Sequence, residues 1–383
     1  MLDLRPVGYV IGLLVAVLGA AMVGPLLFDL YEGDPEWKTF LQSSVITTTI
    51  GAIVALACAN GVSAGLNVRL SFLLTTLVWI ALPAFGALPF IFGETDLSIV
   101  DAMFEAVSGM TTTGATAIAG LETHSYGILL WRGILQWLGG LGIVIVAMIF
   151  LPVMKVGGMQ FFQSEGFDTF GKALPRAMDI AKGLLSIYIT LTVICALAYV
   201  LSGMNPQDSI VHAFTTIATG GYSTTDASFA AFPGAPQYVA VAFMIFAGIP
   251  FVRFIQLVRG DARPIFRDMQ VRAYVVWSSY AVLLVVLYRI IEEGTFSEEL
   301  FRSSLFNVVS IFSGTGYGDG DVQSWGPFPF AILFCVGTIG ACSGSTGCAI
   351  KVFRFQIMLR ALFGQIKRMY SPSRVVSVKF EGR

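Results

Sequence analysis

The chain has 383 residues, of which 56% are hydrophobic and only 12% are charged. Soluble domains carry about 25% charged residues, so this composition excludes a soluble globular protein and indicates an integral membrane protein. The 23 basic and 24 acidic residues nearly cancel, to a net charge of −1.

Eight apolar runs are long enough to cross a hydrocarbon core of about 30 Å at about 1.5 Å per residue. They lie at 7–30, 37–59, 69–92, 126–151, 183–202, 235–258, 271–291 and 325–363. The first run exceeds the apolar region of a signal peptide and lacks a cleavage site, so we interpret it as a retained helix. The sequence therefore predicts an all-α membrane protein of about eight transmembrane helices.

Basic residues alternate with acidic ones between the spans. Lys and Arg are missing from 70–131 and from 183–252, where the connections are acidic. The other connections and the C-terminal tail are basic. Their basic residues are Lys155, Lys172, Arg176, Lys182, Arg253, Arg259, Arg263, Arg267, Arg272, Arg360, Lys367, Arg368, Arg374, Lys379 and Arg383. The positive-inside rule predicts a multi-pass protein of the inner (cytoplasmic) membrane with both termini in the cytoplasm and an acidic outer face that concentrates cations.

Each long outer connection contains an apolar segment that is too short to span a bilayer and starts with helix-capping residues. These segments begin at Ser98, at Asn205 followed by Pro206, and at Ser297. Pro206 suits the first helical position because its missing N–H would have no partner there. The pattern predicts three re-entrant half-helices, each followed by a loop at membrane depth.

The three loops align on Gly114, Gly221 and Gly316, which are spaced by 107 and 95 residues. The aligned blocks are EAVSGMTTTGAT (105–116), HAFTTIATGGYS (212–223) and NVVSIFSGTGYG (307–318), and the third continues into GYGD, the core of the potassium-channel filter loop. A unit of span, half-helix, glycine loop and span is therefore repeated three times. The predicted divisions are an N-terminal helix pair (1–62), pore repeats (63–160, 161–265 and 266–370) and a basic cytoplasmic tail (371–383).

Such loops suit the binding of a dehydrated cation. Backbone carbonyls replace its water, and glycine permits the backbone angles that aim them at one axis. The C-terminal ends of the half-helices add negative potential. The predicted ion-binding residues are Thr112, Thr113, Gly114, Thr219, Gly220, Gly221, Thr315, Gly316 and Tyr317. The predicted K⁺ ligands are Thr113, Gly114, Gly220, Gly221, Thr315 and Gly316.

Other small or charged residues receive simpler interpretations. We expect Gly139, Gly140 and Gly142 to permit close helix packing. Asp319 and Asp226, which follow the third and second loops, are interpreted as charges at the outer mouth that attract cations.

The last apolar run is rich in glycine, serine and threonine between 337 and 347, a composition that predicts a broken helix at the bilayer centre. A small-residue packing face, which Gly340 and Gly344 would satisfy, is the alternative. Lys351 and Arg354 follow, and either could extend to the inner interface or belong to an ion path.

Several stretches together resemble the Trk/Ktr/HKT superfamily of potassium and sodium transporters, and specifically its Trk-type membrane subunit. They are RPVGYVIGLLVAVLG (5–19), LFDLYEGDPEW (27–37), TTTGAT (111–116), QWLGGLGIVI (136–145), ATGGYSTTDASF (218–229) and GACSGSTGCAIKVFRF (340–355). The resemblance implies potassium uptake through a pseudo-fourfold pore in which Gly114, Gly221 and Gly316 match the first three filter glycines. Glycine at all three positions favours potassium, whereas serine in the first loop accompanies sodium in plant members.

The resemblance also implies a gate and partners. The gate is an intramembrane loop beneath the filter, comprising Gly340, Gly344, Ser345, Thr346, Gly347 and Lys351. The implied assembly is a homodimer seated on a cytosolic ring of nucleotide-binding (ATP/NAD) regulatory subunits, while the basic loops could instead contact anionic membrane lipid. No nucleic-acid partner is expected. Channel-like flow and ion-coupled symport both remain open.

The similar proteins have four pore repeats, and we expect the fourth to be missing from this chain, which has no fourth filter glycine. The alternative function is a non-conducting or regulatory relative. No constellation of nucleophilic or metal-binding residues indicates an enzyme, and no nucleotide-binding domain indicates an ATP-driven pump. The expected cofactor is K⁺ alone, as the transported ion, with none covalently bound.

Overall fold

A computed structural model describes residues 3–64, 68–145 and 175–371, and these are almost entirely helical. The helices are α1 (Arg5–Ala21), α2 (Val23–Glu32), α3 (Trp37–Cys58), α4 (Val68–Gly86), α5 (Leu88–Phe92), α6 (Ile99–Met110), α7 (Tyr126–Ile145), α8 (Pro175–Leu201), α9 (Pro206–Ile217), α10 (Ala235–Ala247), α11 (Phe251–Val258), α12 (Arg263–Arg267), α13 (Met269–Glu293), α14 (Glu298–Ser313), α15 (Pro327–Thr338) and α16 (Val352–Tyr370). The two short strands β1 (Ile339–Gly340) and β2 (Ile350–Lys351) pair in parallel. Lys155, Lys172, Arg374, Lys379 and Arg383 lie outside the described residues.

Five described helical stretches are long and apolar enough to cross a membrane. They are Arg5–Glu32, Trp37–Gly61, Arg69–Phe92, Ala181–Leu201 and Met269–Glu293. The predicted span at 126–151 is described as far as Ile145, where α7 has 20 residues. A mostly helical membrane protein is therefore confirmed.

Two predicted spans are not single helices. The run at 235–258 bends by 93° between α10 and α11. Pro250 starts α11 without an N–H to donate, and Gly248 ends α10, so the helix cannot continue between them. The run at 325–363 is interrupted between α15 and α16, as its glycine and serine content predicts.

The N-terminal pair packs at very short range. A Cβ added to Gly12 would overlap the backbone of Ala55, and one added to Gly51 would overlap the backbone of Ala16. The Ser44 hydroxyl donates a 2.7 Å hydrogen bond to the carbonyl of Gly19. Small residues on both helices thus let α1 and α3 approach closely, as membrane helices do when packing rather than solvent drives association.

The three short helices α6, α9 and α14 begin at the predicted residues. Ser98, Asn205 and Ser297 are their N-caps, and each side chain accepts a backbone N–H of the first turn. Each helix lies inside a buried apolar cluster: Ala102 and Ala106 of α6 lie in one cluster, Ala213 of α9 in a second and Val308 of α14 in a third. The fold therefore holds three short helices within protein, each with its C-terminal end leading into a glycine loop.

Candidate functional site

The loops after α6, α9 and α14 share one backbone conformation. In each loop, the first and third residues of a triplet have positive φ, whereas the middle residue does not. The pairs are Thr112 (+55°) and Gly114 (+82°), Thr219 (+51°) and Gly221 (+77°), and Gly314 (+80°) and Gly316 (+84°). We call these triplets loop 1 (112–114), loop 2 (219–221) and loop 3 (314–316). Gly314 was not among the predicted residues, because loop 3 has glycine where the other loops have threonine.

The loops are also held by the same backbone hydrogen bonds. The middle residue of each donates its N–H to the carbonyl five residues earlier, at the C-terminal end of the short helix. These bonds run from Thr113 to Ser108 (2.9 Å), from Gly220 to Thr215 (2.9 Å) and from Thr315 to Ser310 (3.0 Å). Carbonyls at a helix end need such partners. The three units aligned from the sequence are thus structurally equivalent at the loop.

The loops are neighbours in chain order. A Cβ added to Gly114 would overlap the carbonyl oxygen of Gly220, and one added to Gly221 would overlap the carbonyl oxygen of Thr315. No heavy atom of the described residues lies within 4 Å of a Cβ at Gly316. Loops 1, 2 and 3 therefore form an open arc of peptide groups. At Gly114 and Gly221 this arc has no room for a side chain larger than a hydrogen atom.

A polar residue nine positions before each glycine ties the short helix to the non-helical segment that directly follows the loop. We call this segment the strand after the loop; it is separate from β1 and β2. Glu105 accepts the N–H of Ala117 at 2.7 Å, His212 pairs with the hydroxyl of Ser223 at 3.0 Å, and Asn307 donates to Asp319. The three side chains differ in chemistry but occupy equivalent positions. The strand after each loop is therefore fixed to the body of its own helix.

A tyrosine directly after the glycine ties loops 2 and 3 to the preceding repeat, whereas loop 1 has Ala115 at this position. The Tyr222 hydroxyl donates to the carbonyl of Glu105 at 2.9 Å, and the Tyr317 hydroxyl donates to the carbonyl of His212 at 3.2 Å. Tyr317 is 2% exposed and its carbonyl accepts the Ser310 hydroxyl at 2.7 Å, and its predicted part in ion binding stays a prediction. Tyr317 therefore anchors loop 3.

Gln136 of α7 reaches loop 2 and Arg132 of α7 reaches Ser223, two residues after it, and sequence reasoning missed both. The Gln136 amide donates to the carbonyl of Gly220 at 2.7 Å and accepts the N–H of Tyr222 at 3.1 Å. Arg132 is paired with Glu105 at 2.7 Å, with side-chain exposures of 1% and 0%. A charged residue inside a predicted span, as Arg132 is at 126–151, is the signal that could have revealed it.

The two acids interpreted as mouth charges have structural partners. Asp226 accepts the N–H groups of Gly120 at 2.7 Å and Leu121 at 3.1 Å, and Asp319 accepts the Ser303 hydroxyl at 2.9 Å in addition to Asn307. The carboxylates therefore fix the connections beyond the loops, and their role as outer-mouth charges that attract cations stays a prediction.

The glycine residues of α7 behave partly as predicted. A Cβ at Gly139 would overlap the carbonyl of Met110, and one at Gly140 would lie 3.0 Å from Ala218. Close packing is therefore confirmed at these two positions. Gly142 has no described heavy atom within 4 Å of an added Cβ, so close packing at this position stays a prediction.

The segment between α15 and α16, residues 339–351, lies against the C-terminal ends of α9 and α14. We call it the interrupting segment. The Thr346 hydroxyl donates to the carbonyl of Ile217 at 3.1 Å, and it also lies 3.3 Å from the carbonyl of Ala247. The N–H of Cys342 donates to Gly248 at 3.1 Å. The segment thus joins the C-terminal end of α9 to the bend between α10 and α11.

The same segment contacts loop 3. A Cβ added to Gly347 would lie 2.6 Å from the carbonyl of Ser313, and one added to Gly314 would overlap the sulfur of Cys348. Lys351 donates its ammonium to the carbonyl of Gly347, so it turns into the segment, whereas Arg354 is exposed. Two predicted gate residues, Thr346 and Gly347, therefore lie against residues that precede loops 2 and 3, and the packing-face alternative is wrong because the stretch is not helical.

The arrangement offers carbonyl and hydroxyl oxygens to a cation. Among the described residues, no group of three or more His, Cys, Asp or Glu side chains lies together. The oxygens at the arc are those of peptide groups and of threonine hydroxyls.

Comparisons with known proteins identify the family of this chain. The profile of the TrkH family, described as cation transport protein, matches residues 37–383. The Trk system potassium uptake protein TrkI of Halomonas elongata is 37% identical over 99% of this chain and 77% of its own length. The Escherichia coli K12 protein TrkH is 35% identical over 99% of this chain and 80% of its length.

The fold agrees as well. The crystal structure of the potassium transporter TrkH from Vibrio parahaemolyticus superposes with a TM-score of 0.91 at 32% identity, covering 100% of this chain and 80% of that one. This chain therefore belongs to the TrkH family of cation transport proteins, which are transporters and not enzymes.

Proposed function

We propose that this chain takes up potassium across the membrane along a path lined by the peptide oxygens of loops 1, 2 and 3. The observation that carries the proposal is that three separate stretches adopt the same alternating φ pattern and lie side by side. In a regular strand successive carbonyls face opposite sides. Alternation between left- and right-handed residues lets successive carbonyls face the same side, as a filter requires.

Three physical features support binding of a dehydrated ion at the K⁺ ligands named from the sequence, 113–114, 220–221 and 315–316. Each loop follows the C-terminal end of a helix, where the backbone dipole favours a cation. The bonds to Ser108, Thr215 and Ser310 fix the loops before an ion arrives, so the oxygens need little rearrangement. The buried anchors behind them exclude lipid, which backbone at membrane depth requires.

The interrupting segment is proposed to gate this path. It contacts the C-terminal end of α9, the residue before loop 3 and the α10–α11 bend, so a shift of the bend would move it relative to the loops. Its two ends are held together by the parallel pairing of β1 with β2.

The assembly is also a proposal. The charge distribution supports an inner-membrane protein with both termini in the cytoplasm. The resemblance supports a homodimer seated on a cytosolic nucleotide-binding ring. Co-purification of the native protein, with rubidium flux measured with and without ATP, ADP or NADH, tests the ring. Identical flux in the presence and absence of the co-purified partner would contradict the proposed regulatory ring. A separate measurement distinguishes symport from channel-like flow, because only symport is driven by a proton or sodium gradient.

Rubidium uptake into proteoliposomes tests the function. The wild-type protein is expected to take up ⁸⁶Rb⁺, with potassium competing far better than sodium. Gly114→Ser should abolish uptake because Gly114 has φ +82° and an added Cβ would overlap loop 2. Gly142→Ser is the matched control, since no described heavy atom lies within 4 Å of a Cβ there. A wild-type protein without uptake, or equal losses in the two variants, would overturn the proposal.

A further inference from the structure

We propose that Glu105 and Arg132 form a positioning pair that sets the spacing between loops 1 and 2 and thereby the discrimination between potassium and sodium. This inference rests on the proposed function. It begins from burial: the side chains are 0% and 1% exposed, inside a membrane protein. Charges at such depth persist only where they are paired and their remaining hydrogen-bonding groups are satisfied.

Each of the three guanidinium nitrogens of Arg132 donates a hydrogen bond. Its Nε donates to Glu105 at 2.7 Å, one terminal nitrogen donates to the carbonyl of Ser223 at 2.9 Å, and the other donates to the Thr116 hydroxyl at 3.0 Å. Its carbon lies 4.1 Å from the centre of the Tyr222 ring. One rigid planar group therefore contacts α6, the strand after loop 1 and the strand after loop 2.

Glu105, the partner of Arg132, is also bonded to the strands after loops 1 and 2. Its carboxylate accepts the N–H of Ala117 at 2.7 Å and the Thr116 hydroxyl at 3.1 Å. Its backbone carbonyl accepts the Tyr222 hydroxyl at 2.9 Å. The strand after loop 1 and the strand after loop 2 are thus bonded to the same two residues, and neither can shift without disturbing the pair.

Among the described residues, the junction between loops 2 and 3 has the tyrosine tie and no ion pair equivalent to that of Glu105 with Arg132. Tyr317 donates to the carbonyl of His212 and contacts the hydroxyls of Thr215 at 2.5 Å and Thr216 at 3.0 Å. Asn307 and His212 stand where Glu105 stands in the first repeat. The charged brace is therefore an addition at one junction rather than a requirement of the fold.

Ion discrimination depends on this spacing. Selectivity among carbonyl sites follows cage size or the number and field of the carbonyl dipoles, and both change when one loop moves relative to the next. Sites of this kind must be held to within about 0.5 Å. A planar fork holds several acceptors in fixed relative positions, whereas an ammonium on a flexible stem does not.

Arg132→Lys tests the proposal because it keeps the charge opposite Glu105 and removes the fork. The measurement is the ratio of ⁸⁶Rb⁺ to ²²Na⁺ uptake in proteoliposomes, with size-exclusion elution and thermal unfolding as folding checks. The ratio is expected to fall about tenfold, the equivalent of about 1.4 kcal/mol. A merely structural role would lower both fluxes together and leave their ratio unchanged.

The matched control is Arg253→Lys. Arg253 pairs with Asp268 at the same 2.7 Å, and Asp268 is 1% exposed, but this pair joins α11 to the start of α13. Its variant should keep the wild-type ratio. Equal changes in the two variants would overturn the proposal, because any buried arginine would then have the same effect.

Thr116→Val covers the case in which Arg132→Lys does not fold. Thr116 is exposed, and valine has the same shape without the hydroxyl that links Arg132 to the strand after loop 1. Its uptake ratio should also fall. A folded Thr116→Val or Arg132→Lys protein with the wild-type ratio would overturn the inference while leaving potassium uptake intact, whereas a wild-type protein without uptake would remove the proposed function and this inference with it.

Discussion

Alanine at Gly221 and at Gly316 separates two effects of adding a side chain to the loops. Both residues have positive φ, +77° and +84°, where an L-residue costs about 1–2 kcal/mol. At Gly221 the new Cβ would also overlap the carbonyl oxygen of Thr315, whereas at Gly316 it meets no described heavy atom within 4 Å. Gly316→Ala therefore carries the conformational cost alone, and Gly221→Ala must in addition displace a peptide oxygen of the neighbouring loop.

The expected magnitudes follow from these costs. A penalty of about 1–2 kcal/mol on the conducting conformation lowers its population about 5–30-fold, so Gly316→Ala should reduce rubidium uptake by that factor and keep the preference for potassium over sodium. Gly221→Ala moves a proposed ligand, since Thr315 contributes one of the oxygens of the arc. We expect it to lose the preference itself.

Uptake of ⁸⁶Rb⁺ and ²²Na⁺ by purified variants in proteoliposomes measures both quantities. Gly142→Ala serves as the control for adding a methyl group without strain or contact. A Gly221→Ala protein with wild-type discrimination, or a Gly316→Ala protein that discriminates worse than Gly221→Ala, would contradict the adjacency of loops 2 and 3 on which the reasoning depends.

Three further substitutions test the supports of the arc. Gln136→Leu leaves the buried carbonyl of Gly220 without its amide donor. An unpaired buried group costs about 1–3 kcal/mol, so the variant should unfold at a lower temperature. An unchanged midpoint of thermal unfolding would contradict the hydrogen bond between Gln136 and Gly220. Ser310→Ala removes the hydroxyl that binds the carbonyl of Tyr317 and should cost about 1 kcal/mol and raise sodium uptake relative to rubidium; a wild-type ratio would show that the carbonyl needs no support. Thr346→Val removes the hydroxyl that joins the interrupting segment to α9 and should raise basal rubidium uptake if the segment is the gate, whereas slower uptake would argue against gating.

The parts of this site that repeat along the chain were predictable from the sequence. Gly114, Gly221 and Gly316 could be aligned because only glycine combines an easy positive φ with the lack of a Cβ, and the N-caps could be found because capping is local chemistry. Gly314 was missed because it fills a backbone position that threonine fills in the other loops. The bend at Gly248–Pro250 was missed because the run at 235–258 was judged by its hydropathy alone, although a Gly-x-Pro sequence is a local signal for a break.

The anchors were not predictable, because they depend on contacts between distant parts of the chain. Gln136 lies 84 residues from Gly220, and Tyr222 lies 117 residues from Glu105. Nothing in the residues around Asp226 shows that it accepts two N–H groups more than 100 residues away. Long-range pairs of this kind follow from the fold, whereas sequence periodicity reports only which residues share an element.

The position nine residues before each glycine shows why the repeats could diverge in sequence while their loops stayed alike. Glu105, His212 and Asn307 each reach the strand after the loop, one as an acceptor of N–H groups, one through an imidazole and one as an amide donor. The strand needs a partner of suitable length and does not need a particular chemical group. Residue identity at this position is therefore free to change when its partner changes with it, as Asn307 does with Asp319. The glycines have no such freedom, because the peptide oxygens they aim are themselves the proposed ligands, and no side chain can take over that role.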